Sequence, residues 1–76
     1  MHAMRYAIVI ERAGGNFSAY VPDLGGCVAS AATQKEVETL LREAIELHLA
    51  GMREDNQPIP LPSSRVEYLE VEVAAT

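Results

Sequence analysis

The chain holds a single cysteine, Cys27, so no intrachain disulfide can brace it, and the cysteine clusters of a structural zinc site are missing. A reducing compartment, the cytoplasm, is the expected setting. Positive charge is sparse as well, with 6 Lys and Arg against 11 Asp and Glu and a formal net charge of −5. The basic residues, Arg5, Arg12, Lys35, Arg42, Arg53 and Arg65, are scattered. Phosphate contacts need such side chains clustered, so direct nucleic-acid binding by this chain is not expected. No run approaches the roughly 20 apolar residues of a membrane span, and Met1 to Arg5 lacks the apolar stretch and small-residue cleavage site of a signal peptide. Neither membrane insertion nor secretion is expected.

What is present is a pattern for one domain, 1–76. Apolar residues make up 49% of the 76, enough for a packed core. Folding buries a small share of the surface at this length, so further burial in a homo-oligomer, a dimer or higher, would help. Met4 to Glu11 alternates, with Tyr6, Ile8 and Ile10 on one face and Arg5, Ala7, Val9 and Glu11 on the other. Ala13-Gly14-Gly15-Asn16 tolerates positive φ, and Phe17 to Val21 resumes the alternation with Phe17, Ala19 and Val21 on one side, so the two strands form a hairpin. Pro22 cannot donate to a ladder and Gly25-Gly26 permits a turn; Cys27 to Ala31 then fits a third antiparallel strand.

Thr33-Gln34-Lys35-Glu36 has the form of a capping box and opens a helix. At helical spacing Val37, Leu40, Leu41, Ala44, Ile45, His48 and Met52 gather on one side, and Lys35, Glu38, Thr39, Arg42, Glu43 and Glu46 on the other. Gly51 suits the left-handed residue that ends a helix, which places the stop between Gly51 and Glu54. Asn56 to Ser64 holds three prolines separated by single apolar residues, the composition of a stiff, extended crossover. Arg65 to Val73 alternates again, with Leu69, Val71 and Val73 opposite Tyr68, Glu70 and Glu72, and predicts a fourth strand before a frayed end at Ala74 to Thr76. The expected fold class is α+β: a three-stranded antiparallel meander, one covering helix and a final strand, in the order β-β-β-α-β.

That order and several of its motifs resemble the HicB-like antitoxin family. The resemblance rests on Tyr6 to Ile10, the block Phe17-Ser18-Ala19-Tyr20-Val21-Pro22-Asp23-Leu24-Gly25-Gly26-Cys27, Thr33 to Glu36, Glu43 to Leu49, and Pro58-Ile59-Pro60-Leu61-Pro62-Ser63. It implies a degraded ribonuclease-H-like fold that binds a small HicA-like toxin, an RNA-cleaving protein, and blocks it. Many family members continue into a helix-turn-helix or ribbon-helix-helix segment that binds operator DNA. No such segment follows the last strand within these residues, so autorepression by this stretch alone is not expected, and an orphan homo-oligomeric module without a toxin is the alternative.

A ribonuclease-H-like outline invites a search for clustered carboxylates that would hold metal ions, and Glu11, Asp23 and Glu70 are the candidates for a residual nuclease. Glu11 ends its strand, Asp23 sits in a turn, and Glu70 and Glu72 share a face on which solvated charge is the default explanation. His48 lies within the apolar helical stripe, where a packing histidine is the ordinary case, and His2 is its only companion. Cys27 has no basic neighbour in sequence to activate it and reads as a small buried contact. The glycine pairs lack the Lys and Ser/Thr of a phosphate-binding loop. No catalytic residue, cofactor or metal is therefore assigned.

Binding is the activity that remains. An acidic surface suits a basic protein partner, and the candidate contacts are Tyr20, Asp23, Tyr68, Glu70 and Glu72. The sheet face away from the helix offers Ala7, Val9, Tyr20 and Tyr68, a partly apolar surface suited to association between copies.

Overall fold

Alternation and turn chemistry produce the sheet. A computed structural model describes residues 3–74. Strands β1 (Val9–Ala13) and β2 (Asn16–Tyr20) pair antiparallel in the register Val9↔Tyr20 to Ala13↔Asn16. The two residues between them, Gly14 and Gly15, have φ of 56° and 86°. Positive φ at both positions matches the right-handed twist of the flanking strands, and a side chain would be strained at either. Strand β3 (Val28–Ala31) pairs with β2 from Phe17↔Ala31 to Tyr20↔Val28, giving the order β1-β2-β3.

Residues 4–8 belong to the predicted first strand but lie outside the ladder. Continuing the β1–β2 register would set Ile8 against Val21 and Ala7 against Pro22. The Val21 N–H faces the β3 side, donating to the Cys27 carbonyl at 3.2 Å, and Pro22, the next residue facing β1, has no N–H to give.

Helix α1 (Gln34–Glu54) starts as its sequence predicts. The Thr33 hydroxyl accepts from the Glu36 N–H at 3.1 Å and donates to the Glu36 carboxylate at 3.0 Å. The helix ends at Glu54, inside the expected range, but Gly51 stays within it and Asn56, with φ of 55°, takes the left-handed position. The Gln57 N–H then reaches the Met52 carbonyl at 2.8 Å and the Asn56 N–H the Arg53 carbonyl at 3.1 Å, the paired bonds of a Schellman cap. Met52, Arg53 and Glu54 are good helix formers, and they carry the helix one turn past its glycine.

The helix lies over β2 and β3. Ala19, Val21, Leu24, Cys27, Val37 and Leu41 form the buried core, and Tyr6, Ile8, Ile10, Phe17, Ala29, Ala31, Ile45 and Leu49 pack around it half-buried. Of the predicted apolar stripe, Val37 and Leu41 are fully buried and Ala44, Ile45, His48 and Met52 are half-buried, whereas Leu40 turns outward. The fold is α+β, as the order of elements predicts.

The fourth strand is the clear departure. Residues 65–73 join no ladder, and among the described residues the sheet has three strands. Alternation reports which residues share an environment; a ladder also needs a neighbouring edge with free N–H and C=O groups at the right place. Here the segment extends away with Leu69 86%, Val71 76% and Val73 85% exposed. His2, and the residues Ala75 and Thr76 of the expected frayed end, lie outside the described residues.

Truncating Leu41 to alanine removes a side chain sealed between helix and sheet and should cost about 2–5 kcal/mol in urea unfolding. Leu47, 77% exposed on the same helix, should lose less than about 0.5 kcal/mol on the same substitution. Equal effects at the two positions would contradict this packing.

Candidate functional site

The proline-rich crossover returns from the helix to the turn after β2, and Asp23 fastens it there. Its carboxylate accepts from the Ser63 N–H at 2.8 Å, the Ser64 N–H at 3.0 Å, the Ser63 hydroxyl at 3.0 Å and the Ser64 hydroxyl at 2.7 Å. Nearby, the Tyr6 hydroxyl donates to the Pro60 carbonyl. The backbone N–H of Ser64, then that of Ser63, then the Ser64 hydroxyl favour the ionised acid and hold the Asp23 pKa at about 2, against an ordinary 3.8. Tyr6 shifts the other way, raised by burial and then by the Asp23 charge. Asp23, expected as a partner contact, thus spends its oxygens within the chain.

Beyond this clamp the chain offers two surfaces. On the sheet face away from α1, Val9, Tyr20 and Val28 stand side by side across all three strands, because Tyr20 pairs with both of the others. Tyr20 and Val28 are exposed and Val9 is half-buried, as is Ala7 just before β1. Val9 and Tyr20 were expected to share this face. Val28 was missed, since a residue at the start of a short apolar strand carries no mark of which way it points.

The second surface is on the other side, at the β1 edge that the helix leaves uncovered. Ile8, Ile10, Arg12, Phe17, Gln34 and Tyr68 line an open groove of about 260 Å³. The Arg12 guanidinium sits 5.7 Å from the Phe17 ring centre. Tyr68 is therefore separated from Tyr20, with which it was grouped. Glu70 and Glu72 follow it on the extended tail, exposed.

The candidates for chemistry fall apart in space. Among the described residues no three His, Cys, Asp or Glu side chains come close enough to hold a metal ion, so Glu11, Asp23 and Glu70 form no cluster. Cys27 is buried, and burial raises its thiol pKa, which disfavours the nucleophilic thiolate. His48 is half-buried on α1. No described helix is long and apolar enough to cross a membrane.

The clamp carries a pH dependence whose sign follows from the depressed pKa. The folded Asp23 value lies below the unfolded one, so its contribution is complete above about pH 4 and fades as pH falls toward 2. The Ser63 and Ser64 amide proton shifts should titrate with a midpoint near 2, and Asp23→Ala should move both to unbonded positions at neutral pH. Shifts that ignore the substitution would mean that the clamp does not form in solution.

Comparison with known proteins follows the same outline. A 14.9 kDa protein of the rep-hol intergenic region of Haemophilus phage HP1 is 33% identical over 66 residues, 87% of this chain; the chain spans half of that protein's length. A UPF0150 protein of Thermoplasma acidophilum is 31% identical over 58 residues, covering 75% of this chain and 84% of the relative. A UPF0150 protein of Synechocystis is 30% identical over 67 residues, covering 87% and 85%. No solved structure matches. The family model described as HicB-like antitoxin of bacterial toxin–antitoxin systems matches residues 6–74, from the tyrosine that holds the crossover to the end of the extended tail, and the chain belongs to that family.

Proposed function

We propose that this protein neutralises a small, basic, HicA-like RNA-cleaving toxin by covering its RNA-binding surface, acting by binding and not by catalysis. Family membership over residues 6–74 is the observation that carries this reading. The surfaces agree with it. A net charge of −5 favours encounter with a basic partner, and Glu70 and Glu72 stand free on the tail, available to cationic side chains. The exposed Tyr20, flanked by Val9 and Val28, supplies the aromatic anchor that interfaces favour, and Tyr68, 90% exposed, supplies a second. Asp23 contributes by fixing where the tail leaves the body. The setting is the cytoplasm, where such a toxin would meet RNA.

The apolar row Val9–Tyr20–Val28 also favours a second reading, in which Ala7, Val9 and Tyr20 bind the same face of other copies and no toxin is involved. Co-purification with small basic proteins encoded beside this chain separates the two, followed by RNA cleavage with and without it. A complex in which cleavage stops supports the antitoxin reading; self-association alone supports the second. Within a complex, reversing Glu70 and Glu72 to lysine should weaken affinity at least about tenfold, mostly at low salt, and an unchanged affinity would remove the tail from the interface.

A further inference from the structure

We propose that residues 58–74, the crossover and tail together, form an arm that lifts from the body as one unit when the Asp23 clamp opens, while residues 6–57 keep their fold. The core gives the first reason. Its buried residues run from Ala19 to Leu41 and the half-buried residues around them from Tyr6 to Leu49, so the arm supplies no side chain to either. The backbone gives the second. The last backbone pairings are those that cap α1 at Asn56 and Gln57, and beyond them the described residues form no backbone–backbone hydrogen bond. What holds the arm is polar: the Asp23 carboxylate on Ser63 and Ser64, and the Tyr6 hydroxyl on the Pro60 carbonyl.

Water can replace each of these bonds when the arm lifts, since Tyr6, Asp23 and Ser64 are only half-buried and Ser63 is exposed. The body gives up no core contact. An opening of this kind has its own free energy, below that of unfolding the domain. Two features make the arm move as one piece. Its attachments at Pro60, Ser63 and Ser64 lie close together, and the prolines at 58, 60 and 62 keep the stretch between hinge and clamp extended and stiff. The hinge falls between Gln57 and Pro58, the first junction past the cap of α1. Residues 65–74 are exposed throughout and follow the clamp wherever it goes. The clamp therefore sets where Tyr68, Glu70 and Glu72 stand relative to the row of Val9, Tyr20 and Val28, and a partner that touches both arm and row selects the latched form.

Native-state hydrogen exchange of the full chain reads arm and body separately, and it needs no toxin, so its outcome is independent of the antitoxin reading. The Ser63 and Ser64 amides should be protected at least about a hundredfold less than the Leu41 amide inside α1, and their exchange should depend hardly at all on added urea. Asp23→Asn should speed exchange at both serines at least about fivefold and leave Leu41 within about twofold. The double variant Ser63→Ala/Ser64→Ala, which alters the clamp from the arm side alone, should speed the same two amides. Tyr6→Phe should do so too, because the two attachments open together. Serine amides that respond to urea in parallel with Leu41 would overturn the inference, since arm and body would then open as one. So would variants that speed Leu41 as much as the serines, or that leave the serines unchanged.

Discussion

The carboxylate of Asp23 is the interaction on which the arrangement of the C-terminal third depends. It lies 40 and 41 residues from its partners Ser63 and Ser64, and it satisfies two backbone N–H groups and two hydroxyls of a segment that has no secondary structure of its own. Closing a loop of that length costs on the order of 3 kcal/mol or more in chain entropy. Two features offset it. The helix takes up half of the loop, and the prolines at 58, 60 and 62 restrict the rest before it docks, so less freedom is lost on arrival. The Tyr6 hydroxyl on the Pro60 carbonyl gives the same segment a second point of attachment.

This clamp joins two motifs that lie far apart in sequence. The Tyr-Val-Pro-Asp-Leu turn and the spaced prolines ending in Ser-Ser are the two halves of one contact, and a change in either would free the other. The turn itself is shaped by its backbone: Leu24 N–H to Val21 carbonyl, Cys27 N–H to Leu24 carbonyl and Val21 N–H to Cys27 carbonyl fold it back with Leu24 and Cys27 inside the core. Asp23, just before Leu24, meets the crossover at Ser63 and Ser64.

Much of this was legible from residue order alone. The alternation in β1 and β2, the glycine pair between them and the threonine cap of α1 are local signals, and local physics decides them. The stop at Glu54 falls inside the range read from the sequence, but the left-handed residue is Asn56 and not Gly51: glycine is the commoner choice, and asparagine, which also tolerates that conformation, stands five positions on. Asp23 read as a surface charge because nothing local reveals a hydrogen-bond partner 40 residues away. Tyr68 shares a face with Tyr20 only if residues 65–73 join the sheet as a fourth strand, and a strand's pairing is decided by which edge is within reach, a property of the whole fold.

The composition of the tail limits what it can join. Glu67, Glu70 and Glu72 are interspersed among Val66, Leu69, Val71 and Val73, so each apolar residue has a charge within two positions. An exposed run of the apolar residues alone would pair indiscriminately with any free edge; like charges on neighbouring tails oppose that outcome, since tails stacked in register would set carboxylates side by side. The same glutamates that make the tail soluble therefore also restrict what it can join: another tail is disfavoured, and a basic surface is not.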